Sequence, residues 1–458
     1  MTKILQCVSP IDGSIYLERE TLAPGAAFSA VARARAAQSD WAARPLQERV
    51  DLCLKAVAEV GQTVDQMAIE LAHQMGRPVR YGGEFGGFEE RALYMAKIAA
   101  SSLESLVVED SSSFRRLIKR EPHGVIFVVA PWNYPYLIAV NALVPGLIAG
   151  NAVILKHATQ TLQVGERLAE AFHKVGIPED VFQNVYLDHE TTIELIRNRQ
   201  FDFINFTGSV GGGKKMEQAA AGTFLPVATE LGGKDPGYVR ADANLDAAVD
   251  TLIDGAMFNS GQCCCGIERI YVHESLFEAF VEKSVALVKG YRLGNPLLKE
   301  TTLGPMANVR FAKEVREQVT EALQRGATAH IPTFAEDDGG AYVTPQILTN
   351  VNHQMRVMRD ETFGPVVGIM SVKDDDEAIQ LMNDSDFGLT ASIWTQDTDA
   401  AEALGARIQT GTVFMNRCDY LDPGLCWTGC KDTGRGASLS VLGYQALTRP
   451  KSYHLKQA

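Results

Sequence analysis

The chain has 458 residues, more than one hydrophobic core organises, so two or three domains are expected. It is 46% hydrophobic and 22% charged, the balance of a soluble globular protein. A net charge of −13 argues against binding to nucleic acid or to an anionic membrane surface.

The start, Met1 to Gln6, offers no apolar segment of signal-peptide length, and no uncharged run reaches the roughly 18–20 residues of a membrane span. Eight cysteines in no regular framework suit a reducing compartment, and the expectation is cytoplasmic. In chain order, Pro10-Ile11-Asp12-Gly13 reads as a turn between short extended pieces. From Pro24 to about Ser101 apolar residues recur every three and four positions, the pattern of helices packed on a core, with little functional signal. Phe114–Pro122 is expected as an edge strand or hairpin, charged against uncontrolled pairing or ready to pair with another subunit. Strands at Gly124–Ala130, Ala152–Lys156, Val181–Leu187 and Phe201–Phe206 alternate with helices at 135–149, 162–175 and 193–197. That alternation predicts a parallel sheet wrapped by helices, with ligands at the carboxyl ends of its strands, where Pro131-Trp132-Asn133, Lys156 and Gly208-Ser209 fall. A second α/β unit follows a boundary near residue 232, with a long helix expected over 306–325. The tail from Ser440 to Leu455 is poorly periodic and suits packing on a neighbour.

Five stretches carry chemistry. Cys263-Cys264-Cys265 follows a Gly-Gln turn; adjacent cysteines do not have zinc-knuckle spacing and rarely pair as disulfides, which leaves a soft nucleophile or core packing. Gly208–Lys215 nearly spells a phosphate-binding P-loop, but Lys215 stands where magnesium needs a hydroxyl, so the exposed amides suit an anion such as a pyrophosphate rather than nucleotide hydrolysis. Glu230 ends an apolar run and is either a solvated surface group or a base whose pKa partial burial raises. Asn133 either caps the following helix or donates to an oxyanion. Glu361-Thr362-Phe363-Gly364-Pro365 is either an ordinary turn or a contact for ribose hydroxyls and a flat ring. No metal is expected.

Taken together and in order, these stretches resemble the aldehyde dehydrogenase superfamily, the NAD(P)-dependent, CoA-independent kind. The resemblance rests on Pro131-Trp132-Asn133-Tyr134-Pro135, Gly150–Lys156, Phe206-Thr207-Gly208-Ser209, Glu230–Lys234, Gly261–Cys265, Glu361–Pro365 and Gly434-Arg435-Gly436. It implies an α/β fold of two Rossmann-like parallel-sheet domains and a small β oligomerisation arm: residues 1–103 and 123–232 for the cofactor, 233–439 for catalysis, 104–122 and 440–458 for the arm. It makes Cys264 the nucleophile, Glu230 the base for hydrolysis and Asn133 an oxyanion donor. The implied cofactor contacts for NAD or NADP are Trp132, Lys156, Thr159, Gly208, Ser209, Gly213, Gly232, Glu361 and Phe363. The implied substrate pocket is Tyr134, Ile138, Asn141, Cys263, Cys265 and Trp427, and the implied assembly a homodimer or homotetramer.

Three departures from the family pattern matter. Thr159 stands where NAD-preferring relatives carry a glutamate that repels a 2′-phosphate, so NADP is expected to be accepted. Ala142 and Ser438 replace an auxiliary Lys–Glu pair, which leaves deacylation to Glu230. Asn141 occupies the place of the arginine by which succinic semialdehyde dehydrogenases grip a carboxylate. The expected substrate is therefore a neutral aliphatic or aromatic aldehyde, with a dicarboxylic semialdehyde, or CoA-acylating chemistry, as alternatives.

Overall fold

The computed structural model describes residues 2–457; Met1 and Ala458, the ends of two expected segments, lie outside the described residues. A hairpin of Ile4–Val8 and Ile15–Glu20 opens the chain, with the Pro10–Gly13 turn between its strands. Four helices follow, Pro24–Ala43, Leu46–Gly61, Val64–Met75 and Phe85–Leu103. Their apolar faces bury Trp41, Val57, Leu71 and Met95 in one core. At its centre runs the helix Pro135–Ile148, apolar on every side and buried at every position except Leu137, as befits a helix enclosed by other elements. Trp41 Nε1 donates to the Leu147 carbonyl at 2.9 Å and so joins the first helix to this central one.

Five parallel strands stand against these helices in the order Phe182–Asn184, Ala152–His157, Val125–Ala130, Phe203–Thr207, Val227–Glu230. The runs Val125–Ala130 and Ala152–His157 are apolar almost throughout because helices cover both faces of the sheet. A second sheet of seven strands has the order Thr328–Ala329, Gln346–Thr349, Val366–Val372, Ile267–His273, Asp235–Val239, Thr390–Trp394, Thr412–Met415. All its neighbours are parallel except the short edge strand Thr328–Ala329.

Several of these strands escape the periodicity reading. Asp235-Pro236-Gly237 looks like a turn, yet it is buried strand: Gly237 has no side chain because a Cβ there would lie 2.6 Å from Leu252. The long helix expected from Met306 begins at Val309, since Asn308 caps it by accepting from the Arg310 amide at 2.8 Å. The tail is more ordered than its pattern suggests. Ser440–Ala446 is a helix held on Phe85–Leu103 by the Tyr444 hydroxyl, which donates to the Met95 carbonyl at 2.8 Å. Thr448–Lys456 is a strand that pairs with Phe114–Pro122 from Thr448↔Pro122 to Lys456↔Phe114. With Leu106–Asp110 on the other side, these strands form a separate three-stranded sheet. No helix among the described residues is long and apolar enough to cross a membrane.

Candidate active site

The loop that carries the three cysteines leaves the helix Leu245–Met257 through a kinked turn, with Asn259 and Ser260 both left-handed at φ 55°. Its polar side chains pin it down. Asn259 Nδ2 donates to the Gln262 carbonyl (3.2 Å) and to the Asn133 carbonyl (3.3 Å), Gln262 Oε1 accepts from the Ala307 amide (2.8 Å), and Ser260 Oγ donates to the Gly304 carbonyl (2.8 Å). Gly261, at φ 69°, passes so close to another backbone that a Cβ would lie 2.1 Å from the Gly364 carbonyl oxygen. The cysteine loop and the Glu361–Pro365 segment are thus locked together.

The turn then places Cys264, half-buried, between its buried neighbours. All eight cysteines are free thiols. The Sγ atoms of Cys263 and Cys265 lie 3.5 Å apart, and 3.2 and 3.0 Å from Asp419 Oδ1. The three sulfurs fall within 4.8 Å of one another, so the tight turn brings consecutive cysteines together in a way their spacing does not suggest. Hydrogen bonds from the Cys263 and Cys265 thiols pull the Cys264 thiol down to about 6, against the desolvation that pushes it up. Burial holds the Asp419 carboxyl well above the usual carboxylate range.

Glu230 ends the strand Val227–Glu230 and is 8% exposed, so it is a buried group and not a solvated surface one. Burial raises its pKa, while the Ser438 hydroxyl, which donates to Oε1, and the more distant Arg91 guanidinium draw it back. Ser438 is held for this by Trp427, whose amide and carbonyl exchange hydrogen bonds of 2.9 Å with it. Asn133 does not cap the helix Pro135–Ile148. Glu84 Oε2 does that, accepting from the Tyr136 and Leu137 amides at 3.0 Å each. The Asn133 carbonyl is held by Arg77 and Asn259, and its side-chain amide makes no hydrogen bond among the described residues.

Two clefts meet at Cys264 and Glu230. One, of about 250 Å³, is walled by Trp132, Asn133, Gly208, Ser209, Gly232, Glu361 and Phe363. Trp132 stacks on Phe311 at 5.2 Å and meets Phe363 edge-on at 5.5 Å, which makes a slot for a flat ring. Glu361 Oε1 accepts from the Gly233 amide at 3.1 Å, and its carboxylate fills the space a Cβ at Gly232 would take. Burial, with Glu268 nearby, pushes Glu361 up to about 8. The turn beyond it hangs on Glu268, which accepts from the Thr362 and Phe363 amides at 2.8 Å each and pairs with buried Lys234 at 2.6 Å. Ser209 caps the helix Val210–Ala220 by accepting from the Gly212 amide at 3.2 Å, and with Gly208 it sets the start of that helix beside this cleft. Gly213 lies outside the cleft. Its amide is spent on the Ser209 carbonyl (2.9 Å), and its missing side chain makes room for Leu231. Lys156 and Thr159 stand beyond the slot, at and just after the end of the strand Ala152–His157.

The other cleft, of about 220 Å³, is lined by Tyr134, Leu137, Ile138, Asn141, Cys263, Cys265 and Trp427, and also by Arg91, Asp419 and Leu421. It contains every pocket residue the family pattern points to. Sequence reading misses Arg77 and Glu84, which lie in the connection between the helices Val64–Met75 and Phe85–Leu103, Arg91, which sits within a helix that reads as a core stripe, and Phe311 and Asp419, which no local motif marks. A charged residue on an otherwise apolar helical face is the one signal that would have found Arg91.

A thiol with its pKa drawn down and a buried carboxylate, set where an aromatic-walled cleft meets a second cleft on a two-sheet α/β scaffold, are the features of an enzyme site. The comparisons are specific. Residues 2–453 match the model of the aldehyde dehydrogenase family, and the chain belongs to that family. It is 34% identical to a 4,4'-diapolycopene aldehyde oxidase of a Methylomonas species, over 98% of this chain and 85% of the relative. It is 31% identical to a succinate semialdehyde dehydrogenase [NAD(P)+] of Escherichia coli (strain K12), over 91% of this chain and 90% of that one. A solved NADP-dependent glyceraldehyde-3-phosphate dehydrogenase from Bacillus halodurans, in complex with NADP, superposes with a TM-score of 0.94 at 30% identity, covering 100% of this chain and 96% of that one. The protein is an oxidoreductase acting on aldehydes.

Proposed function

We propose that the chain oxidises an aldehyde to its carboxylic acid through a covalent bond to Cys264, with NAD or NADP as electron acceptor and water as acyl acceptor. The observation that carries this reading is that Cys264 and Glu230 are walls of both clefts at once. The Cys264 thiolate attacks the carbonyl carbon, and the oxyanion of the thiohemiacetal takes hydrogen bonds from the unpartnered Asn133 amide and the Cys264 backbone N–H. The aromatic slot and the glycine cradle at Gly232 fit a nicotinamide and its ribose, and the chemistry a bound nicotinamide supplies there is acceptance of a hydride. Glu230, its pKa raised by burial, takes a proton from water as that water attacks the thioester carbon, and Cys264 departs as thiolate. Thr159 is exposed and neutral, so nothing at that position repels a 2′-phosphate and NADP is turned over alongside NAD. The three-stranded arm pairs copies of the chain into a dimer or tetramer, and free thiols throughout suit a reducing cytoplasm.

The test is nicotinamide reduction, followed by absorbance, with a panel of aldehydes, NAD or NADP, and no CoA. Turnover is expected with both cofactors and is abolished in Cys264→Ala. Glu230→Gln is expected to slow steady-state turnover about 100-fold or more while one equivalent of reduced cofactor still forms, because acylation survives and deacylation fails. Activity that appears only on adding CoA would move the acyl group to a thiol acceptor instead of water.

A further inference from the structure

The substrate-side cleft holds a charge that the thiol chemistry does not use. Arg91 lies on the helix Phe85–Leu103, is 7% exposed, and borders the cleft. Its Nη1 donates to the Leu137 carbonyl at 2.7 Å and to Asn141 Oδ1 at 3.2 Å, whereas Nε and Nη2 make no hydrogen bond among the described residues. No carboxylate oxygen of the described residues lies within 4.0 Å of it. Asn141, oriented by accepting from Arg91, has an unmet donor of its own: Nδ2 is buried with no partner.

Buried guanidinium groups are almost always paired, because an uncompensated buried charge is strongly destabilising. The acids around this one are engaged elsewhere. Glu84 is taken by Arg77 and by two backbone amides, and Glu230 accepts from Ser438. Asp419 faces the Cys263 and Cys265 sulfurs, and Glu90 is exposed at the rim, where it accepts from the Tyr420 hydroxyl at 2.6 Å. Two neighbouring residues therefore hold unspent donors at the wall of the substrate-side cleft that leads to Cys264.

We propose that Arg91 and Asn141 form an anion-binding site for the substrate, and that the preferred aldehydes carry a carboxylate at the end remote from the carbonyl. Asn141 is neutral, as its sequence position indicates, but it docks a cation supplied by the neighbouring helix. With the carbonyl at Cys264 and the carboxylate on Arg91, the apolar walls at Tyr134, Ile138 and Trp427 enclose the middle of the substrate. The cleft, at about 220 Å³, exceeds the ~150 Å³ that suffices for benzene, so the middle is either a short alkyl chain or a ring.

This inference rests on the dehydrogenase reading above, and the experiment separates the two. It compares kcat/KM for succinic semialdehyde against butanal, and for 4-carboxybenzaldehyde against benzaldehyde, in wild type, Arg91→Met and Arg91→Lys. Wild type is expected to favour the carboxylated member of at least one pair, and which pair tells chain from ring. Arg91→Met is expected to lose about 10-fold or more on that member relative to its neutral partner, the difference lying mostly in KM, and Arg91→Lys to recover part of that difference. Preference for the neutral member of both pairs in wild type overturns the proposal. So does an equal fall for both members in Arg91→Met, which marks Arg91 as acting on Glu230. Calorimetric titration of glutarate into wild type and Arg91→Lys decides the anion site without turnover, even if the methionine variant does not fold or no aldehyde is oxidised. Binding to wild type that weakens in the variant supports the site, and no binding to wild type overturns it.

Discussion

At the scale of single residues, two neighbours of its own kind lower the pKa of Cys264. A thiol pulled down to about 6 is largely thiolate at neutral pH and becomes protonated, and inert, as the pH falls through that value. The rate of Cys264 alkylation by iodoacetamide is therefore expected to titrate with a midpoint near 6, and in Cys263→Ala, which removes one donor, to shift upward toward the ordinary 9.0. An unchanged midpoint would assign the activation to something other than the flanking thiols. Cys264 is legible as nucleophile from the Gly261–Cys265 motif. Its pKa is not, because the donors act through a turn geometry that brings all three sulfurs within 4.8 Å. Ser438 makes the same point. As a letter it is the loss of an acidic partner; in the fold its hydroxyl bonds directly to Glu230.

At the scale of elements, the site is a set of segments clamped to one another. Gly261 is the tightest clamp, at φ 69° with the Gly364 carbonyl against the place of its Cβ. Gly261→Ala is expected to destabilise the fold by about 1–3 kcal/mol in urea unfolding and to lower kcat/KM, since it pushes Cys264 away from the Glu361–Phe363 turn. Gly13→Ala is the control: φ is 75° but nothing lies within 4 Å of its Cβ, so activity should be unchanged. The strands that carry Lys156 and Glu230 and that precede Asn133 and Gly208 all end on the same edge of one parallel sheet, and the sequence alternation predicts that convergence. The strand Asp235–Val239 and the helix start at Val309 are not predicted. Each is set by burial or capping against a distant element and not by its own periodicity.

At the scale of the whole molecule, the arm sheet has a free edge. Leu106, Val107 and Val108 are 63%, 55% and 57% exposed along Leu106–Asp110, where the pairing register shifts between Val107 and Glu109. Exposed apolar residues on an unpaired edge suit association with another copy. Leu106→Lys with Val108→Lys is expected to lower the mass measured by light scattering toward that of one chain, with the circular dichroism of the fold retained. An unchanged mass would place the interface elsewhere.

By itself the sequence determined the α/β class, the candidate nucleophile Cys264, the candidate base Glu230 and the absence of a carboxylate at Thr159, because each depends on residue type at fixed local spacing. Only the tertiary structure decided which groups work together. Arg77 ties Asn133 to Asn259, Glu84 frees Asn133 by capping its helix, and Arg91 reaches Asn141 from another helix. Those contacts join residues about 50 or more positions apart in the chain. The energy of a buried charge is settled by what stands beside it in space, and no local pattern records that neighbour.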